Sequence, residues 1–77
     1  DIPQLQQSYE NNDWQLLGRQ CHGIKGAAAS AGASEIQAQA LELEQAGKAE
    51  DEANIRRQFQ NFIKLLQTTI SSMQQII

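Results

Sequence analysis

Several residue types are scarce in this chain. Aromatic side chains make up 5% of its 77 residues, and there is a single proline, Pro3, a single cysteine, Cys21, and a single histidine, His22. One cysteine excludes an internal disulfide framework and a Cys-based zinc site. No apolar run approaches the ~20 residues needed to cross a bilayer. Basic residues are outnumbered, 6 against 9 acidic, for a net charge of −3. That balance argues against a nucleic-acid partner, which requires a basic face to displace counterions from phosphates. No β-branched alternating stretch points to a strand. Hydrophobic residues, at 40%, are too many for a disordered chain.

The length has room for one small domain, residues 1–77, with a modest core. Because the first residue is Asp1, the sequence reads as a fragment of a longer chain.

Gln and Ala, both reasonable helix formers, are abundant, and apolar residues recur at steps of three and four. Four helices are predicted. The first runs over about Ile2–Asn11, with Ile2, Leu5 and Tyr9 apolar, and is short or truncated. Asn11-Asn12-Asp13 is a turn in which Asn12 or Asp13 caps the second helix, about Asp13–Ala31. The seam of that helix is Trp14, Leu17, Cys21, Ile24, Ala28 and Ala31. Gly32 ends it, and Ser34 with Gln37 fits a capping box for the third helix. The third helix turns Ile36, Ala40, Leu43 and Gly47 inward. Asp51 caps the fourth, about Glu52–Gln75, whose stripe is Ile55, Phe59, Phe62, Leu66, Ile70 and Met73. Short connections between such helices predict an all-α, antiparallel up-down four-helix bundle.

The chemistry concentrates on the second helix. At about 100° per residue, His22 points roughly 130° away from the apolar seam, toward solvent. The exposed face reads Gln15, Gly18, Arg19, His22, Lys25, Gly26 and Ala29. Gly18 and Gly26 lie one turn before and one turn after His22. Glycine inside a helix costs up to ~1 kcal/mol relative to alanine. Glycines on the neighbouring turns leave the imidazole clear for a partner. Lys25, three residues on, is its surface neighbour, and Arg19 adds a second cation. An exposed neutral imidazole is a nucleophile near neutral pH. Imidazole, clearance and cations together suit a phosphoryl acceptor.

Blander readings compete. A lone surface histidine on a helix is usually only a polar residue, and Arg19 with Lys25 is by itself an ordinary solvated face. A metal site lacks a second His or Cys. A nucleophilic triad lacks a serine or cysteine on that face, since Cys21 falls on the core seam.

The segment His22-Gly23-Ile24-Lys25-Gly26, followed by Gly32-Ala33, resembles the histidine-containing phosphotransfer (HPt) domain. The family pattern is a His, a Lys and a Gly three and four residues on, and a Gly-Ala-like pair about ten on. Ile36, Ala40 and the Leu43-Glu44 pair fall where the family has a Leu, a small residue and a Leu-Glu pair. Asn12-Asp13-Trp14 looks like the turn before the active helix. The resemblance covers the chain from about Ile2 to its end.

The resemblance implies a phosphorelay intermediate in two-component signal transduction. His22 would accept a phosphoryl group, at Nε2, from a receiver-domain aspartate and pass it to another response-regulator aspartate. Lys25 would neutralise phosphoryl oxygens and Gly26 would leave room for the receiver. Lys48 would correspond to a basic residue near the phosphohistidine. Arg19, Gly18, Gln15 and Ala29 would surround the site as receiver-docking or phosphoryl-supporting positions. Ile2, Leu5 and Trp14 are docking candidates or core. The isolated domain would be no enzyme and would bind no cofactor of its own, with Mg²⁺ supplied by the receiver. It would be monomeric and cytoplasmic, free or tethered to a membrane-bound sensor kinase, without touching membrane itself. Ala33 stands where chemotaxis-type kinase domains tend to have an aromatic, which favours the relay over a domain phosphorylated directly by an ATP-dependent kinase domain. A helical interaction module without chemistry is the third alternative.

Overall fold

The structure is a computed structural model and describes residues 2–75, with side chains as far as Thr69. Four helices follow in order: α1 (Ile2–Glu10), α2 (Trp14–Ala31), α3 (Ser34–Lys48) and α4 (Glu52–Gln75). The described residues contain no strand. Cross-helix pairs such as Gln15 with Lys48, and His22 with Glu44, run in opposite sequence directions, so α2 and α3 are antiparallel. Ser8 donates to Gln20 at 2.9 Å and ties α1 against α2 in the same antiparallel sense. The chain is an up-down four-helix bundle with a short first helix of 9 residues.

The turns follow from their residues. Asp13 caps α2 by accepting from the Leu16 amide at 3.3 Å. Asn12 carries the positive φ of 57° that the turn requires, a conformation Asn tolerates. Gly32, at φ 75°, closes α2 in the left-handed conformation, and its amide returns to the Ala28 and Ala29 carbonyls. Asp51 caps α4 through the Asn54 amide. The predicted capping box does not form. Ala33 occupies the N-cap of α3 and no side chain caps it, because the reversal at Gly32 starts the helix one residue earlier and makes Ser34 its first residue.

The core gathers Leu5, Leu17, Cys21, Leu43, Ile55, Phe59 and Phe62, each at 1% exposure or less. Burying each large side chain contributes about 1.5–3 kcal/mol, which matters in a domain of this size. Tyr9 stacks on Phe59 at 4.1 Å between ring centroids and meets Trp14 edge-on at 5.9 Å. The Arg56 guanidinium lies over both Tyr9 and Trp14. This cluster fastens α1 to α2 and α4. Two seam positions of α2 depart from expectation: Ala31 is exposed and Ile24 only half-buried, because both open onto an apolar cleft with Ala33, Ile36 and Leu66 instead of being covered. Leu5 and Trp14 are core, not docking surface. Ile70 and Met73, assigned to the α4 stripe, lie outside the described side chains.

Candidate functional site

The middle of α2 faces the C-terminal half of α3, and His22 stands at that junction. Its side chain is 66% exposed. Opposite it, Glu44 is 3% exposed, a buried carboxylate at the centre of three cationic or proton-bearing groups. Glu44 Oε2 accepts from His22 Nδ1 at 2.9 Å and pairs with Lys48 Nζ at 3.0 Å. Glu44 Oε1 accepts from Lys25 Nζ at 2.7 Å. The Lys25 hydrogen bond first, then that of Lys48 and, more weakly, that of His22 hold the carboxyl down to about 2, against the cost of its burial.

This arrangement fixes the imidazole. An ionised carboxylate only accepts, so Nδ1 carries the proton facing it and Nε2 is left as the unprotonated nitrogen of the neutral ring. The other charges are arranged for an anion. Arg19, His22, Glu44 and Lys48 line a shallow cleft of about 240 Å³. Lys25 and Lys48 pair with the one carboxylate and Arg19 lines the same cleft, a local excess of positive charge in a chain of net −3.

The glycines of α2 divide into two kinds. Gly26 is exposed, and a Cβ built there would meet nothing within 4 Å; the same holds for Gly23. No internal packing requires either one. Gly18 was expected on the open face with Gly26, but it is buried against α3, where a Cβ would come 3.3 Å from the Glu44 carbonyl oxygen. It serves helix packing and not clearance. Gln15 reaches across to the Lys48 carbonyl and Glu50 at 3.4 and 3.5 Å, and Ala29 lies exposed beyond Gly26. Cys21, beside His22 in sequence, is fully buried, and burial, with the Glu44 charge second, pushes its thiol up to about 12. It is inert at neutral pH. Among the described residues, no three His, Cys, Asp or Glu side chains gather as a metal site requires.

Glu44 is the residue that sequence reasoning underrated. It appeared only as half of the Leu43-Glu44 pair, with no role. Its one local signal is Lys48, four residues on.

The bundle thus offers one exposed imidazole, held by a carboxylate and flanked by cations. The family model described as Hpt domain matches residues 1–76, and the chain belongs to that family. Membership implies phosphotransfer in two-component signalling, with response-regulator receiver domains as partners. Neither the curated proteins nor the solved structures contain a match to the chain. No helix among the described residues is long and apolar enough to cross a membrane.

Proposed function

We propose that this domain is a phosphorelay intermediate whose phosphoacceptor is His22 Nε2. The observation that carries the reading is the His22 Nδ1–Glu44 hydrogen bond, which directs the free Nε2 lone pair away from the bundle. In the receiving step, Nε2 attacks the phosphorus of a receiver's aspartyl phosphate. The Nε2–P bond forms, the acyl-phosphate P–O bond breaks and the aspartate leaves as carboxylate. The ring keeps its Nδ1 proton, and Glu44 balances the positive charge that develops on the imidazole. Passing the group to a second receiver reverses these bonds. The receiver brings Mg²⁺ and the aspartate. This domain brings position and charge, the two terms that dominate phosphoryl transfer.

Lys25 and Lys48 have a second task here. Both are bound before transfer to the Glu44 carboxylate that also accepts from His22 Nδ1. A phosphoryl dianion on Nε2 competes with Glu44 for their ammonium groups. Lys25→Ala is expected to slow transfer by on the order of tenfold, the worth of one charge-assisted hydrogen bond. Stability should also fall, because the buried Glu44 carboxylate loses its strongest partner and keeps only Lys48 and His22. Stopped transfer assays and a denaturant titration check the two halves separately.

Gly26 gives the receiver access. Gly26→Gln is expected to stabilise α2 by up to ~1 kcal/mol, read in thermal melting, while blocking transfer from a receiver. Phosphorylation by the small donor phosphoramidate should survive. Equal loss with both donors would place the fault in the histidine and remove the access role.

The decisive experiment offers this domain two donors: a radiolabelled phospho-receiver, or ATP with a histidine-kinase catalytic domain. An acid-labile, base-stable label taken from the receiver supports the relay. Label taken only from the kinase and ATP moves the assignment to a directly phosphorylated chemotaxis-type domain. No label from either donor leaves a helical interaction module.

A further inference from the structure

Helices α2 and α3 come into backbone contact one turn from His22. Gly18 of α2 is four residues before His22, and Gly47 of α3 is three residues after Glu44. A Cβ built on Gly47 would stand 2.7 Å from the Trp14 carbonyl oxygen and 2.9 Å from Gly18 Cα. Both are backbone atoms of a rigid helix and cannot swing aside. A Cβ on Gly18 would stand 3.3 Å from the Glu44 carbonyl oxygen and 3.5 Å from the Lys48 nitrogen. The two backbones therefore touch with no side chain between them.

We infer that Gly47, seconded by Gly18, is a positioning residue for the phosphoacceptor: the glycine contact sets the α2–α3 gap at which the Glu44 carboxylate reaches His22 Nδ1 and selects the tautomer with Nε2 free. The inference rests on the assignment of His22 as phosphoacceptor. A Glu side chain is short, and Glu44 already spans the gap with its carboxylate at 2.9 Å from Nδ1. If α3 moves outward to admit a methyl group, that hydrogen bond is drawn out of the usual range of about 2.7–3.2 Å. Lys48, adjacent to Gly47 and bound to the same carboxylate, moves with it. The imidazole then loses the acceptor that fixes its proton.

His22 is the only histidine in the chain, so its ring nitrogens give unambiguous NMR signals. The test compares ¹⁵N-labelled wild type with Gly47→Ala, Gly18→Ala and Gly23→Ala, each first checked for helicity. Gly23 meets nothing within 4 Å and controls for helix propensity. Wild type and Gly23→Ala are expected to hold the proton on Nδ1. Gly47→Ala is expected to average toward the mixture of a free imidazole, with phosphorylation by phosphoramidate slowed about tenfold. In that reaction the Nε2–P bond forms as the donor's P–N bond breaks and ammonia leaves. Gly18→Ala should fall between. A folded Gly47→Ala with the wild-type tautomer and rate overturns the inference, as does a Gly23→Ala that moves the ring equally. If Gly47→Ala does not fold, Gly18→Ala decides in the same way: a wild-type ring in that variant overturns the inference. Wild type that takes no phosphoryl group yet shows the tautomer change in Gly47→Ala fails the phosphoacceptor reading and not the positioning role.

Discussion

His22→Gln is expected to yield a folded four-helix domain to which no phosphoryl label transfers, whichever donor is offered. The substitution is mild structurally. Position 22 is exposed and central in α2, and glutamine is at least as good a helix former as histidine. Its amide can still donate to Glu44, so the carboxylate keeps a partner. The melting temperature should stay within a few degrees of wild type, since surface substitutions away from special features cost little. The chemistry, by contrast, has no substitute. An amide nitrogen is no nucleophile, the chain has no second histidine, and Cys21 is buried with its thiol raised to about 12. Lys25 could in principle form an acid-labile P–N bond, and this variant separates that case, because Lys25 remains in place. Label on the variant at the wild-type rate would reject His22 as the site.

How far the sequence alone could reach depends on what marks a residue as inside or outside. Helix α4 was readable because its large apolar residues recur at steps of three and four, and Ile55, Phe59, Phe62 and Leu66 are all buried. The ends of α2 were readable because Asp13 and Gly32 perform the jobs their side chains, or lack of one, allow. The exposure of His22 was readable from its angle to the seam. Gly18 was not, because glycine carries no hydropathy sign and α2 packs on two flanks, α1 and α3, so its buried arc is wider than its apolar seam. The burial of Glu44 was hidden for the opposite reason. An acidic residue reads as solvated until the cations that compensate it are brought across from another helix, and Lys25 lies 19 residues away in sequence. Leu5 and Trp14 could be core or docking surface from their type alone. The packing of Tyr9 between Phe59 and Trp14 made Trp14 core, and that contact is tertiary.

Glu44→Ala is expected to slow phosphoryl uptake by on the order of a hundredfold, the loss that follows when a reacting group loses its fixed orientation. Alanine removes the acceptor for Nδ1, frees both lysines and leaves the ring in either tautomer. Glu44→Gln should retain more activity, because its amide oxygen still accepts from Nδ1 while the negative charge that balances a cationic ring is gone. The same carboxylate makes stability depend on pH in a defined direction. Its folded value, about 2, lies below the ordinary 4.5, owing first to the Lys25 hydrogen bond. A depressed carboxyl contributes stability that is fully present above about 4.5 and is lost as pH falls through about 2. Wild type should therefore weaken in denaturant as the solution is acidified across that window. Glu44→Gln should lose that part of the slope, although the remaining carboxylates still titrate. Parallel acid profiles for the two proteins would show that Glu44 is not ion-paired in solution. Wild-type uptake by Glu44→Ala would show that the imidazole needs no carboxylate to present Nε2. The two results are separable, because one reads the folded carboxyl and the other reads the nitrogen it orients.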